Sequence, residues 1–112
     1  MSALHALFIC SKNEWRSRTA ETIFRKETRF IAKSAGTART ARIRVSRGLM
    51  DWADLIFVME DHHKARLPEL YGGPLDKEII VLDIPDEYQY MDEELINELR
   101  DSVSFYMEGM EE

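Results

Sequence analysis

The sequence has little cysteine: Cys10 stands alone, so no internal disulfide can form. One thiol also excludes a zinc site built from several cysteines. No apolar run approaches the roughly 20 residues of a membrane-spanning helix. The first ten residues lack the basic leader and small-residue cleavage site of a signal peptide. We therefore expect a cytoplasmic protein that does not bind membranes.

The net charge of −6 over 112 residues argues against general binding of nucleic acid. Eleven of the 15 lysines and arginines nevertheless lie in residues 1–47, beside only three acidic residues, so this part carries +8 and the remainder −14. Two interpretations remain open. The basic part forms a positive face that attracts an anion, or the two parts neutralise each other across the fold.

Short apolar runs alternate with helical patterns along the chain. The strands are expected at 3–10, 30–35, 54–59 and 78–82, and helical patterns begin at residue 17, after a capping serine at 46, at residue 60 and at residue 93. This alternation predicts a single α/β domain over residues 1–112, a three-layer sandwich with helices on both faces of a four-stranded parallel sheet. The stretch 38–47 is basic and has no clear pattern.

A cysteine and an arginine, Cys10 and Arg16, flank a five-residue loop between the first strand and the first helix. Ligands of such sheets bind at the carboxyl ends of strands, and the N–H groups of a loop this long can surround an oxyanion. Arg16 can hold two phosphate oxygens, and these positive surroundings stabilise a nucleophilic Cys10 thiolate. The predicted phosphate-binding loop contains Ser11, Lys12, Asn13, Glu14, Trp15, Arg16 and Ser17.

Further matches lie beyond the loop, and together they resemble the low molecular weight protein tyrosine phosphatases. They occur in the family's order at Ala20 and Glu21, at 34–37, at 53–60 and at 84–86. The resemblance implies the strand order 2-1-3-4, no metal or other cofactor, and a phosphorylated protein or small phosphomonoester as substrate, with phosphotyrosine favoured. The sequence does not set the oligomeric state.

The resemblance also implies residue roles. Cys10 would attack phosphorus, Arg16 and the loop amides would hold the oxygens, and Asp86 would protonate the leaving oxygen and then activate water. Asn13, braced by Ser34, would hold the loop in shape, and Tyr88 would flank the substrate. Asp83 is the alternative acid.

Several residues differ from the family pattern. Lys12 stands where the family has glycine, Trp15 where it has a second cysteine, and Arg18 and Glu87 where it has prolines. The chain is also shorter between residues 37 and 52, where its arginines predict a more open and more basic pocket.

Two other functions remain as alternatives. One is a non-catalytic module that recognises phosphorylated partners or nucleic-acid phosphates. The other is arsenate reduction, which uses the same fold but needs additional cysteines that this chain lacks. A metal site at His62 and His63 is not expected, because adjacent side chains point to different faces of a helix.

Overall fold

Strands and helices alternate through residues 3–110, the part of the chain that the computed structural model describes. The elements are β1 (Leu4–Cys10), α1 (Arg16–Ile23), β2 (Phe30–Gly36), α2 (Arg47–Trp52), β3 (Leu55–Val58), α3 (Asp61–Tyr71), β4 (Glu78–Val81) and α4 (Glu93–Met110). Each predicted strand and helix is present, with ends close to those expected from the apolar pattern.

The four strands form one parallel sheet in the order β2-β1-β3-β4, as predicted. Cys10, at the end of β1, pairs with Gly36 at the end of β2. Val58 of β3 pairs in the same way with Val81 of β4. The loops that follow the strands therefore emerge together at the carboxyl edge of the sheet, where such folds bind their ligands.

Successive residues of β1 enter two apolar cores, one on each face of the sheet. Phe8 belongs to the core beneath α1 and α4, where its ring stacks on Phe24 and Phe57 at centroid separations of 5.5 and 5.0 Å. Leu7 and Ile9 belong to the core beneath α2 and α3. The continuous apolar run of β1 follows from this position, since a central strand covered on both faces has no polar side. The predicted three-layer arrangement is confirmed.

Two helix ends follow from local chemistry. The hydroxyl of Ser46 accepts a hydrogen bond from the Leu49 N–H at 3.1 Å, so the predicted N-cap of α2 is confirmed. The helix α3 ends at its C-cap Gly72, whose φ of 91° suits a residue without a Cβ. Within residues 3–110, no helix has both the length and the apolar character needed to cross a membrane.

Candidate active site

The loop between β1 and α1 encloses a pocket of about 150 Å³ at the carboxyl edge of the sheet. Its lining consists of Cys10, Ser11, Lys12, Glu14, Trp15, Arg16 and Asp86. Six of these residues are consecutive or nearly so in the sequence, and Asp86 arrives from the loop after β4. The structure thus places the predicted nucleophile, arginine and acid around one cavity.

Cys10 is 3% exposed and its sulfur lies 3.0 Å from the hydroxyl oxygen of Ser17. The Asn13 amide donates to that same oxygen at 2.7 Å, so the single Ser17 proton must serve another acceptor. The carbonyl of Ala35 lies 3.2 Å away and competes for it. When Cys10 is a thiolate, the Ser17 proton is therefore best placed on sulfur, because a charged acceptor forms the stronger bond.

Asn13 is the residue that turns the loop. Its φ of 58° is left-handed, a conformation that asparagine tolerates better than most residues with a Cβ. Lys12, by contrast, is not among the residues with positive φ, so the lysine at the family's glycine position meets no backbone strain here. It stands exposed at the pocket rim instead.

The expected brace between Asn13 and Ser34 is not formed. The Ser34 hydroxyl donates to a carboxylate oxygen of Glu21 at 2.6 Å. The Asn13 amide donates to Ser17, and the buried Asn13 carbonyl oxygen has no hydrogen-bond partner among the described residues. Ser17 therefore takes the bracing role that the resemblance had assigned to Ser34, because Ser34 is bonded to Glu21 of α1 instead.

The basic segment after β2 supports the loop from behind. Its backbone N–H groups at Ala38 and Arg42 donate to the carbonyls of Ser11 and Lys12, both at 2.9 Å. The Arg42 side chain adds a bond from Nε to the Asn13 carbonyl at 3.0 Å. None of the arginines between 39 and 47 lines the pocket, so the prediction that these arginines make it more basic is wrong.

Gly36 makes this close support possible. A Cβ built at this position would lie 2.4 Å from the Ser11 carbonyl oxygen and 2.7 Å from the Cβ of Ala41. Both distances are shorter than real Cβ contacts. Only glycine therefore lets β2 end directly beneath the phosphate-binding loop.

Arg16 is 2% exposed and is held by residues that follow the strands β3 and β4. Its Nη1 donates to Glu60 Oε1 at 2.5 Å and to the carbonyl of Ile84 at 2.8 Å. Burial is the largest single effect and raises the pKa of the Glu60 carboxyl, but the hydrogen bonds and positive charges of Arg16 and His62 together leave that pKa lowered. Glu60 was not predicted as a site residue. Its position directly after β3, at the ligand-binding edge, is the signal that could have identified it.

Asp86 and Asp83 lie in different surroundings. A carboxylate oxygen of Asp86 is 3.7 Å from Nε of Arg16, and its side chain lines the pocket while remaining 60% exposed. Asp83 has a left-handed φ of 57° and lines a separate depression next to Glu60. Of the two predicted candidates for the acid, only Asp86 faces the cavity that contains Cys10.

The aromatic side chains at the site differ from expectation. Tyr88 is 8% exposed, belongs to the core beneath α4, and donates its hydroxyl to Glu98 at 3.3 Å. It therefore does not flank the pocket, because an apolar ring gains more from the core than from water. Tyr90 packs against Arg18 of α1. Trp15, which is 42% exposed, is the aromatic residue that lines the cavity in residues 3–110.

His62 and His63 do not point to different faces, so that prediction is wrong. Their ring centroids lie 4.0 Å apart, because both side chains turn back toward Glu60 at the start of α3. His63 is fully buried, and its Nε2 lies 2.9 Å from the hydroxyl of Ser11. Burial lowers the pKa of His63 to about 4, so the ring is neutral near pH 7.

Ligand atoms of Glu60, His62 and His63 fall within 4.8 Å of one another, a spacing compatible with a cation. The hydrogen bonds of His63 work against that use. Its Nδ1 accepts the Glu60 backbone N–H at 3.1 Å, and its other ring nitrogen is bonded to Ser11. Neither nitrogen has a lone pair free for a metal ion in this arrangement.

No protein-family model and no curated relative matches the sequence. Solved structures do match it over nearly its whole length. The tyrosine phosphatase Wzb from Escherichia coli K30, solved with phosphate, has a TM-score of 0.74 at 22% identity over 96% of this chain and 99% of that one. A low molecular weight phosphotyrosine phosphatase from Vibrio cholerae O395 has a TM-score of 0.76 at 18% identity over 98% of both chains.

A third match is the YwlE arginine phosphatase from Geobacillus stearothermophilus, with a TM-score of 0.68 at 17% identity over 96% of both chains. Because these structures superpose on nearly the whole chain, it has the fold of the low molecular weight protein tyrosine phosphatases. The resemblance first noted at Cys10 and Arg16 is confirmed at the level of the fold.

Proposed function

We propose that this protein is a phosphatase that hydrolyses a phosphomonoester, with protein phosphotyrosine favoured, through a phosphocysteine intermediate on Cys10. One observation carries the proposal: the Cys10 thiol, the buried guanidinium of Arg16 and the carboxyl of Asp86 share one pocket. A non-catalytic phosphate-binding module would need Arg16 and the loop amides but neither a thiol nor an acid.

The first step is transfer of the phosphoryl group to sulfur. The Cys10 thiolate attacks phosphorus, and the bond from phosphorus to the leaving oxygen breaks as Asp86 supplies that oxygen with a proton. Arg16 and the N–H groups of the loop stabilise the charge on the other three oxygens. The Trp15 N-cap makes no side-chain hydrogen bond to α1, which leaves the start of the helix open to an anion.

The second step releases phosphate. Asp86, now a carboxylate, takes a proton from a water molecule that attacks phosphorus, and the sulfur–phosphorus bond breaks. Cys10 returns to the thiolate, which the Ser17 hydroxyl stabilises from 3.0 Å. The 60% exposure of Asp86 gives water access to this carboxyl group.

Trp15 supports an aromatic substrate. Its half-exposed indole stands beside Cys10 at the rim, where the face of a phenyl ring can stack on it. Wzb, a structural neighbour, is a tyrosine phosphatase by name, which agrees with this choice. A phosphorylated protein would present such a ring. We also propose a cytoplasmic location, because the reducing environment there keeps a lone reactive thiol in its reduced state.

The test is hydrolysis of para-nitrophenyl phosphate between about pH 5 and 7 in the presence of EDTA, with the Cys10→Ser and Asp86→Ala variants. We expect Cys10→Ser to abolish turnover and Asp86→Ala to lower kcat about 100-fold or more. Asp83→Ala is the matched control and should retain activity. Wild-type protein that is folded, binds phosphate and shows no turnover would refute the enzyme and favour the binding module.

A further inference from the structure

The hydroxyl of Ser11, a residue that lines the pocket, is hydrogen-bonded to the buried His63 side chain, and the reaction described above uses neither group. Ser11 follows the nucleophile and lines the cavity, while His63 lies behind it at 0% exposure. The Ser11 oxygen and Nε2 of His63 are 2.9 Å apart. A buried polar pair this close to a reacting atom needs an assignment of its protons.

The hydrogen bonds of His63 settle which atom is the donor. Its Nδ1 lies 3.1 Å from the backbone nitrogen of Glu60, which can only donate, so Nδ1 carries the lone pair. In a neutral imidazole the proton is then on Nε2, and the Ser11 oxygen accepts it. The Ser11 hydroxyl consequently keeps its own proton for a different acceptor, and Ser11 lines the cavity beside Cys10.

We propose that the Ser11 hydroxyl donates a hydrogen bond to an oxygen of the bound phosphoryl group, and that His63 is the positioning residue that orients it. The inference rests on the proposed phosphate site. His63 occupies one acceptor position of the Ser11 oxygen, which restricts the hydroxyl rotor and directs the remaining proton away from α3. The pocket thereby gains an uncharged donor from a side chain, in addition to Arg16 and the backbone N–H groups.

Capping of α3 does not account for this pair. The bond from the Glu60 N–H to Nδ1 is the contribution of the His63 ring to the capping box of α3, and that bond needs only the near nitrogen of the ring. The far nitrogen could be replaced by carbon without loss to the cap. Its contact with Ser11 therefore serves the loop rather than the helix, and the two nitrogens of His63 can be tested separately.

Asparagine and glutamine separate the two functions. In His63→Asn the amide oxygen can take the place of Nδ1 as cap acceptor, and nothing reaches Ser11. In His63→Gln the longer amide can still donate to Ser11 from the place of Nε2. We expect phosphate affinity to fall in His63→Asn and to remain within a few-fold of wild type in His63→Gln.

The measurement is the Kd of inorganic phosphate by isothermal titration calorimetry, with thermal unfolding to show that each variant is folded. We expect Ser11→Ala to weaken binding about tenfold or more, since the lost bond goes to a charged group. Ser11→Thr keeps the hydroxyl and should bind within a few-fold of wild type. In the Ser11→Ala background, His63→Asn should add nothing.

Each outcome bears on a different claim. Wild-type affinity in Ser11→Ala would overturn the inference and leave the proposed phosphatase intact. Further weakening by His63→Asn when Ser11 is already alanine would show that His63 does not act through Ser11. Absence of phosphate binding by the wild type would refute the phosphate site and the inference together, whereas binding without turnover would refute only the enzyme.

Discussion

The buried His63 should make folding stability sensitive to mild acid. The side chain is fully buried, and burial, with smaller effects from His62 and Arg16, lowers its pKa from the ordinary 6.5 to about 4, although Glu60 opposes the shift. The unfolded chain therefore binds a proton at His63 between these two values while the folded protein does not. At about 1.4 kcal/mol per pH unit, the free energy of unfolding should fall by about 3 kcal/mol as the pH drops through this window.

His63→Asn isolates the effect, because asparagine can keep the cap of α3 but does not titrate. We would measure urea unfolding of both proteins at several values between about pH 7.5 and 4.5. The wild type should lose about 2 to 3 kcal/mol more than the variant over this range. Groups that do not interact with residue 63 contribute equally in both proteins and cancel in the difference. Parallel stability curves would refute the reasoning, because they would mean that His63 is protonated as easily in the folded protein as in the unfolded chain.

Two further substitutions test the support of the loop. Gly36→Ala should destabilise the protein by about 1 to 3 kcal/mol, since the new methyl group meets the Ser11 carbonyl, whereas Gly109→Ala in open space should not; equal melting temperatures for the two variants would contradict this. Glu60→Gln should lower kcat/KM about tenfold or more by loosening the buried Arg16 while the melting temperature changes little, because Gln keeps an acceptor oxygen. Unchanged kcat/KM would show that the Ile84 carbonyl alone positions Arg16.

The sheet and its strand order could be predicted because the apolar runs are short, bounded and interrupted by helical patterns. The run in β1 is buried on both faces. In a protein of this size, a continuous apolar run fits the centre of the sheet and few other positions. The loop from Cys10 to Arg16 was recognisable for a related reason. Its residues act on one ligand from one short segment, so their spacing in the sequence is nearly their spacing in space.

The parts that were mispredicted depend on competition between neighbours that are distant in sequence. Ser34 has two possible acceptors, and only the packing of α1 on β2 decides that Glu21 wins. Tyr88 can face the pocket or the core, and the position of α4 decides for the core. In the sequence, Glu60 has only the pattern of a helix start. Its contact with Arg16 depends on the packing of β3 beside β1, which brings the Glu60 carboxylate to that side chain. Sequence patterns carry no information about such distances.

The exposed indole of Trp15 gives the site an optical reporter. The chain has one other tryptophan, Trp52, which stacks on His5 at a centroid distance of 4.3 Å and carries the Lys33 ammonium over its ring, away from the pocket. A ligand that enters the cavity dehydrates one fluorophore and leaves the other as an internal reference. Emission from the unlabelled protein should therefore follow occupancy in real time, and the same signal should be absent from Trp15→Phe.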